Sequence, residues 1–273
     1  MPEGPQARAR YVAIDAPILL RYSSTTMMGV VYLVGIGPGD AAHLTPEART
    51  TLNKTSVIIG HPGSIRHVSR IIRGKEVLTL NHNPLERSRL AVARAAEGQD
   101  VAIISLGHPG IYAIASTLYT YLKENNLDIP VTVVPGLTLG DYAAAKLGSP
   151  LGADHAVISL ADRAGSWRYT KAVLAAALTA DLVIVIYNPR GNLGVSRLKY
   201  VLASALAARP RETPVGLVTD AASRWEKVSV LPLASLDVKD VTENTLLVIG
   251  SHASFIYRDK MITPRAYRLG VGY

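Results

Sequence analysis

The strongest constraint on the fold is a short apolar run that ends in a glycine- and proline-rich turn. The run spans residues 30–34, and the turn after it contains Gly35, Gly37, Pro38 and Gly39. A β-branched run bounded by Gly and Pro predicts a strand that is buried on both faces. The residues that follow, 45–47, read Thr-Pro-Glu and supply the N-cap, the first-turn Pro and the first-turn acid of a helix. The sequence therefore predicts a β-loop-α unit here.

The composition of this turn allows two interpretations. Glycines let a backbone adopt positive φ and approach a ligand closely, as in loops that hold nucleotide phosphates. A dinucleotide-binding motif would place its third glycine at Asp40, Pro38 removes one amide, and no acidic residue closes the next predicted strand, residues 56–59. These differences argue against a pyrophosphate-binding Rossmann site. A tight strand-to-helix turn without a ligand is the other interpretation.

The same alternation of strand, loop and helix continues through the first half of the chain. Strands are predicted at residues 30–34, 56–59, 76–80, 101–106 and 131–134. The clearest helical stripe between them consists of Ile111, Ala115, Leu118 and Leu122. Alternating strands and helices predict an α/β domain with a mainly parallel sheet, over residues 28–148.

The segment 147–152, rich in Gly, Ser and Pro, interrupts this rhythm and predicts a domain boundary. Five further strands are predicted at residues 156–160, 182–187, 215–219, 227–231 and 245–249. Long helical patterns fall near residues 167–178 and 195–207. The strands after Pro214 follow one another closely, which favours antiparallel pairing. The second α/β domain, residues 153–273, should therefore contain a mixed sheet.

Residues 1–27 are interpreted as an extension with little fixed structure. Their apolar part is interrupted by Asp15 and Pro17, which is untypical of a signal peptide. Because Met27 and Met28 directly precede the first predicted strand, translation from this point is a second hypothesis, and the intact mass of the native protein tests it.

The composition restricts the class of protein. The chain is 48% hydrophobic and 18% charged, and its apolar runs are too short for the roughly 18 to 20 residues that span a bilayer. It has no Cys, which excludes thiolate chemistry and is typical of a cytoplasmic protein, and its seven His residues lack the spacing of metal ligands, which predicts no metal site. The net charge of +8 indicates an anionic partner or a basic surface. Without a run of Lys and Arg, the sequence argues against nucleic acid as that partner.

Four loops that follow predicted strands share a composition of Gly, Pro and small polar residues. They are residues 37–40, 107–110, 135–138 and 187–190. Strand ends are where ligands gather in parallel sheets, so these loops predict a groove lined by backbone that binds a flat, partly apolar ligand. Thr138 and Asn188 would add side-chain hydrogen bonds.

These loops, in this order and at these separations, resemble those of the S-adenosylmethionine-dependent tetrapyrrole methylases. Within that superfamily, the segment 157–162 with Trp167 after it, the Tyr-Asn-Pro-Arg loop at 187–190 and the ending Met-Ile-Thr-Pro-Arg at 261–265 look like the precorrin-3B or cobalt-factor III C17-methyltransferases of cobalamin biosynthesis. The resemblance covers about residues 29–267.

The resemblance implies two α/β domains, a homodimer, and S-adenosylmethionine bound in a cleft between the domains. It implies methylation of C17 of an anionic tetrapyrrole, coupled to contraction of the macrocycle. The cofactor contacts that it implies are Pro38, Leu106, Gly107, His108, Ile111, Thr138, Leu139, Asn188, Ala221 and Thr245. Alternatives are a methylase of the same superfamily that acts on another ring carbon, on RNA or on a modified histidine, and a catalytically silent cofactor-binding protein.

One departure from the family concerns His108, where the family usually has Asp. An imidazole offers a different hydrogen-bonding pattern, so His108 either contacts the ligand or only shapes the turn. Asp40 is the carboxylate nominated for proton handling or substrate steering, with a helix N-cap as its alternative role.

The carboxylate arms of a tetrapyrrole would attract arginines. Candidates near strand-end loops are Arg87, Arg89, Arg163, Arg168, Arg190 and Arg197, of which no more than about a third should touch substrate, because most surface arginines are only solvated. Arg163 and Arg190 are the two chosen as substrate residues, together with Tyr112. Tyr112 and Trp167 are candidates for stacking on the macrocycle, although an aromatic beside a helix is more often part of a core.

Overall fold

A computed structural model describes residues 27–81, 83–161, 166–190 and 195–265. The chain divides into two compact units, Met1–Thr138 and Leu139–Tyr273, called unit 1 and unit 2 below. The predicted extension, residues 1–27, lies outside the described residues except for Met27. In the described part, no helix is both long enough and apolar enough to cross a bilayer.

Unit 1 alternates strands and helices as the hydrophobic pattern predicts. Its elements are β1 (Val31–Gly35), α1 (Pro46–Lys54), β2 (Val57–Gly60), α2 (Pro62–Val68), β3 (Glu76–Thr79), α3 (Pro84–Ala96), β4 (Val101–Ser105), α4 (Ile114–Glu124) and β5 (Val131–Val134). The five strands form one sheet in the order β3-β2-β4-β1-β5, and every pair is parallel. The prediction of a mainly parallel sheet is confirmed.

Both faces of this sheet are buried, because alternate residues of one strand point into different cores. Val31 and Leu33 of β1 pack with α3 and α4, whereas Tyr32 and Val34 pack with α1 and α2. A strand that is covered on both sides has no polar face, which explains the uninterrupted apolar run in the sequence.

Three helices of unit 1 begin with the same signal, a capping side chain followed by Pro. Thr45 Oγ1 accepts from the Ala48 amide at 3.1 Å, His61 Nδ1 from Gly63 at 3.1 Å and Asn83 Oδ1 from Leu85 at 3.0 Å. The predicted cap at Thr45 is confirmed. Because each of these helices follows a strand, the caps fix where the chain turns at the carboxyl edge of the sheet.

The predicted helical stripe is correct in three of its four positions. Ala115, Leu118 and Leu122 are buried on α4, but Ile111 precedes the helix and is 40% exposed. The residues between Ile111 and α4 form a turn in which Tyr112 has φ +50°, so helical geometry starts only at Ile114.

Unit 2 contains a mixed sheet. Its elements are α5 (Leu139–Leu147), β6 (Gly148–Ser149), β7 (His155–Ser159), α6 (Trp167–Thr179), β8 (Val183–Tyr187), α7 (Ser196–Ala208), β9 (Pro214–Thr219), β10 (Lys227–Pro232), β11 (Thr245–Ile249), β12 (Phe255–Tyr257) and β13 (Lys260–Ile262). The main sheet has the order β10-β9-β11-β8-β7, with β7 and β8 parallel and the other neighbours antiparallel. The prediction of a mixed sheet with antiparallel strands after Pro214 is confirmed. A small sheet of β12, β13 and β6 was not predicted.

The two units divide before α5, whereas the predicted boundary at residues 149–152 follows this helix. Helix α5 packs on the sheet of unit 2: the Leu147 side chain lies so close to Gly216 of β9 that a Cβ there would be 2.5 Å from Leu147 Cδ1. Burial of its apolar residues against this sheet assigns α5 to unit 2, although α5 continues the strand-helix rhythm of the first half.

Candidate functional site

Three of the four predicted loops meet at the carboxyl edge of the unit 1 sheet. They follow β1, β4 and β5, which are neighbours in the sheet. Gly107 donates its amide to the Gly37 carbonyl at 2.8 Å, and Thr45 Oγ1 donates to the Pro135 carbonyl at 3.3 Å. The parallel order of the strands thus brings together loops that are far apart in sequence.

Glycine is required where these loops touch. A Cβ at Gly136 would lie 2.3 Å from the Gly107 carbonyl oxygen, and a Cβ at Gly35 would lie 2.5 Å from the Gly136 amide nitrogen. Both distances are shorter than any side chain can tolerate. Backbone therefore packs on backbone, and the edge of the sheet presents amides and carbonyls rather than side chains.

The loop between β4 and α4 exposes apolar side chains at this edge. Leu106 is 39% exposed and Tyr112 is 51% exposed, and Ile111 lies beside them in the sequence. Gly107 has φ +66° and Tyr112 has φ +50°, so the backbone on both sides of His108 is left-handed. An exposed apolar segment beside the glycine loops suits a flat, partly apolar ligand.

His108 shapes the turn of this loop. Its Nδ1 atom accepts a hydrogen bond from the Gly110 amide at 2.9 Å, the bond that an Asp side chain makes in an Asx turn. Because Nδ1 accepts, the ring proton of the neutral imidazole lies on Nε2. The imidazole thus makes the bond that an Asp side chain would make in this turn and adds a donor at Nε2.

Asp40 caps a short 3₁₀ helix at Ala41–His43. Its Oδ1 accepts from the Ala42 amide at 2.8 Å, and its side chain is exposed. Pro38 is buried, whereas Gly39 has φ +130° and contacts the His67 ring, which is 3.0 Å from an ideal Gly39 Cβ. The structure shows the capping role of Asp40, and the second carboxylate oxygen accepts no hydrogen bond from the described residues.

Two predicted cofactor residues lie where the units join in sequence. Thr138 is the last residue of unit 1 and Leu139 is the first residue of α5, and both are half-buried. Thr138 belongs to the loop after β5, next to Gly136, and therefore lies at the same edge of unit 1 as the Gly107 loop.

The other three predicted cofactor residues gather at one edge of the unit 2 sheet. Asn188 directly follows β8 and has φ +50°, and its Nδ2 donates to Ser159 Oγ at 3.1 Å. Ala221 follows β9, and Thr245 begins β11, where it pairs with Thr219. Since β11 runs antiparallel to both β8 and β9, its first residue lies beside the last residues of those strands. The Thr245 hydroxyl is buried and bonded to Thr219 Oγ1 at 2.8 Å, so its ligand contact would come from the backbone.

The turn that carries Ala221 is held by a half-buried carboxylate. Glu226 Oε2 accepts from the Ala222 amide at 2.7 Å and from the Tyr142 hydroxyl at 2.5 Å, and Oε1 pairs with Lys146 Nζ at 3.0 Å. Burial raises the pKa of the Glu226 carboxyl, but its three donors outweigh burial and hold the pKa below its ordinary value. Burial and the neighbouring carboxylate raise the pKa of Tyr142.

The predicted arginines are mostly engaged in contacts with the protein. Arg190 Nη2 reaches the Val238 carbonyl at 3.5 Å, and Arg197 Nη1 donates to the Leu160 carbonyl at 2.9 Å. Arg87 Nη1 donates to the Leu80 carbonyl, Arg89 lies over the Tyr121 ring, and Arg168 is exposed on α6. Arg163 lies outside the described residues.

Of the two stacking candidates, only Tyr112 is exposed. Trp167 packs against the core of unit 2 and meets the Tyr200 ring edge to face at 5.4 Å. The core interpretation of Trp167 is confirmed. No group of three or more His, Cys, Asp or Glu within the described ranges is arranged to hold a metal ion.

Four residues with roles in the structure were not predicted from the sequence: Tyr142, Lys146, Glu226 and His67. Glu226 is 84 residues from Tyr142, so no local pattern could join them. The segment around His67 does carry a weak signal. It has no acidic residue between Glu47 and Glu76, so its positive charges are not balanced within the segment.

Comparison with known proteins agrees with this geometry. The family model for tetrapyrrole (corrin/porphyrin) methylases matches residues 30–237. The chain is 32% identical to the "Probable cobalt-factor III C(17)-methyltransferase" of Salmonella typhimurium, over 87% of this chain and 99% of that protein. It spans about half the length of other curated relatives, 46% and 53% of two of them.

Solved structures share the fold. The methyltransferase CobJ superposes with a TM-score of 0.81 at 27% identity, over 86% of this chain and 100% of CobJ. The uroporphyrin-III C-methyltransferase of Thermus thermophilus, solved with S-adenosylhomocysteine, superposes with a TM-score of 0.64 at 23% identity, over 81% of this chain and 97% of that protein.

The glycine loops occupy the matched region, and the family model covers well over half of the chain. This protein therefore belongs to the tetrapyrrole (corrin/porphyrin) methylases.

Proposed function

We propose that the protein transfers a methyl group from S-adenosylmethionine to C17 of precorrin-3B or cobalt-factor III in cobalamin biosynthesis. The supporting observation is the convergence of the three glycine loops at one edge of unit 1, in a chain that aligns with nearly the full length of a relative named for this reaction. Contraction of the ring, which the resemblance couples to methylation, is the finer part of the same proposal.

The residues present fit the cofactor. A sulfonium cofactor supplies an electrophilic methyl group, and an electron-rich ring carbon can attack it in line. Leu106 and Ile111 offer apolar surface for an adenosine group, and the half-buried Thr138 adds a hydroxyl at the same edge. Pro38 closes the side of the same edge. The catalytic contribution of these residues is position, since they hold two reactants in register and exclude water.

Calorimetric titration with S-adenosylhomocysteine tests the cofactor site before any unstable tetrapyrrole is needed. Saturable binding of one molecule per chain, with no response to NAD, is the expected result. Loss of the Thr138 hydroxyl in Thr138→Val should weaken binding about fivefold, which corresponds to one hydrogen bond. Thr132→Val makes the same change on the exposed face of β5 and should bind like the wild type. No binding by the wild type would favour a silent scaffold protein.

The methyl transfer itself is tested anaerobically with cobalt-factor III and S-adenosylmethionine. A product that has gained one methyl group, located at C17 by NMR, supports the proposal. Methylation at another ring carbon would assign the chain to another member of the family.

A homodimer, which the resemblance implies, and a cytoplasmic location, which the absence of Cys favours, belong to the same proposal. Sedimentation equilibrium tests the first: a mass near twice that of the chain is expected.

A further inference from the structure

A basic surface lies next to the glycine loop of unit 1. Between Glu47 and Glu76 the chain has no Asp or Glu, but it carries Arg49, Lys54, Arg66, Arg70, Arg73 and Lys75. An excess of positive charge in one segment attracts anions unless it is neutralised within the protein. The contacts that each of these six side chains makes within the protein therefore decide which of them can bind a ligand.

Three of the six cations have structural roles. Lys75 Nζ donates to the Asn53 and Thr55 carbonyls at 2.7 Å each. Lys54 Nζ donates to the Tyr32 hydroxyl at 3.1 Å and lies over its ring, and Arg49 reaches the Ala41 carbonyl at 3.4 Å. These side chains are accounted for by contacts with the protein.

The guanidinium groups of Arg66, Arg70 and Arg73 are exposed and make no hydrogen bond or ion pair with any residue that the structure describes. Ser64 and Val68 are buried on the opposite side of α2. The Ile72 amide donates to the Val68 carbonyl at 3.1 Å, so helical geometry continues past the end of α2. A spacing of four residues then places Arg66 and Arg70 side by side on the outer face, where like charges repel each other.

His67 connects this face to the candidate site. Its ring packs against Gly39, whose left-handed backbone leaves no room for a side chain. The next residue, Asp40, is the only carboxylate of this loop, and its Oδ1 is bonded to the Ala42 amide. Arg66 is adjacent to His67, so the face formed by Arg66, His67 and Arg70 lies beside the loop that follows β1.

We infer that this face, Arg66 with His67 and Arg70, binds the carboxylate arms of the substrate. The inference rests on the proposed function, because it requires a ligand with several carboxylates held near the glycine loop. Two adjacent guanidiniums that pair with no carboxylate of the described residues suit acetate or propionate groups, each of which accepts charge-assisted hydrogen bonds. Arg73 is not part of this face. Helix α2 follows the end of β2, whereas Arg73 lies shortly before the start of β3. Because β2 and β3 are parallel, these two points are at opposite edges of the sheet.

The test compares two variants with the same type of substitution. Arg66→Gln/Arg70→Gln removes the charges of the face, and Arg73→Gln removes an exposed charge of the same segment at the other edge. The probe is uroporphyrin III, which carries acetate and propionate arms and whose fluorescence reports binding, at low and high salt. S-adenosylhomocysteine is titrated into each protein in parallel, and thermal unfolding checks that each variant is folded.

The double variant should bind the porphyrin about tenfold more weakly at low salt and with a smaller salt dependence, while Arg73→Gln changes affinity less than about twofold. S-adenosylhomocysteine binding should be unchanged in both. Equal porphyrin binding by the wild type and the double variant, or an equal loss in Arg73→Gln, would overturn the inference and leave the proposed function standing. A wild type that binds neither ligand would overturn both. A double variant that loses affinity only for a single-stranded RNA would show that the face binds phosphates, which also overturns the inference.

Discussion

The Tyr142 hydroxyl lies 2.5 Å from Oε2 of Glu226, and the same oxygen accepts from the Ala222 amide at 2.7 Å. Through this pair, helix α5 is tied to the turn that follows β9. The turn contains two non-glycine residues with positive φ, Asp220 at +50° and Ala222 at +57°. Such conformations are maintained only when the surroundings fix them: Glu226 holds the Ala222 amide, and Asn244 Nδ2 donates to Asp220 Oδ1 at 2.8 Å.

The charge of Glu226 should stabilise the fold at neutral pH and lose its effect in acid. The folded pKa of this carboxyl is below its ordinary value of 4.5, so its contribution is present above that value and disappears as the pH falls through the folded pKa. Glu226→Gln should lower the free energy of unfolding by about 1 kcal/mol at pH 7, because the bonds from Tyr142 and the Ala222 amide lose their charged acceptor and the partly exposed ion pair with Lys146 is lost. As the pH falls below 4.5 and through the folded pKa, the difference from the wild type should shrink.

Urea unfolding at several pH values measures this difference. Glu212→Gln, at an exposed position without side-chain contacts among the described residues, is the matched control and should change stability by less than about 0.5 kcal/mol at every pH. A Glu226→Gln effect that stays constant from neutral to acid pH would show that shape, rather than charge, matters at this position.

Gly136 should not tolerate any side chain. In Gly136→Ala the new Cβ would lie 2.3 Å from the Gly107 carbonyl oxygen, so the loops after β4 and β5 must separate. The expected loss in unfolding free energy is about 3 kcal/mol, with loss of S-adenosylhomocysteine binding. Gly63→Ala, in the first turn of α2 where the Cβ meets only the His61 ring, should be within about 1 kcal/mol of the wild type. A stable Gly136→Ala protein that still binds would contradict the close packing of these loops.

The sequence was sufficient for the main sheets because their strands are short apolar runs separated by Gly, Pro and capping residues. It was insufficient for the small sheet of β12, β13 and β6, whose strands have two or three residues and leave Phe255 and Tyr257 exposed. Strands of this length carry no alternation of apolar and polar residues, so their pairing depends on neighbours that are distant in sequence. Helix α5 was not predicted, and its local sequence does not show which sheet covers it.

In the candidate site, too, the features set by local sequence were predictable and the contacts between distant residues were not. The loops after β1, β4 and β5 were predictable because each has glycine at the point of closest approach, as Gly35, Gly107 and Gly136 show. The contacts of Glu226 and of His67 were not, because a charged residue in a turn or on a helix is usually solvated. Only the structure shows that Glu226 contacts Tyr142 and Lys146 and that His67 contacts Gly39.

The role of His108 as a turn former predicts which substitutions it tolerates. Asn also has an acceptor that reaches the amide two residues ahead, so His108→Asn should keep S-adenosylhomocysteine affinity within about twofold. His108→Ala removes the bond to Gly110 and should weaken binding about fivefold, since the loop loses one hydrogen bond.

Calorimetry measures both variants, and His61 provides the control. Its Nδ1 makes the same kind of bond, to the Gly63 amide at 3.1 Å, in a loop without a predicted cofactor contact. His61→Ala should therefore bind like the wild type. If His108→Asn binds as weakly as His108→Ala, the imidazole itself contacts the ligand, and the donor at Nε2 becomes the relevant group.

Asp40 combines a structural role with a proposed chemical one, and one substitution separates them. Asn is as good an N-cap as Asp, so Asp40→Asn keeps an acceptor for the Ala42 amide while it removes the charge. Asp237 caps the 3₁₀ helix Val238–Asp240 in the same way, accepting from the Lys239 amide at 2.9 Å, which makes Asp237→Asn the matched control.

If Asp40 handles a proton or steers the substrate, Asp40→Asn should lower turnover about a hundredfold with S-adenosylhomocysteine affinity changed less than about twofold. Asp237→Asn should leave both quantities unchanged. Turnover by Asp40→Asn at the wild-type rate would restrict Asp40 to its cap, and the charge beside Gly39 would then have no part in the reaction.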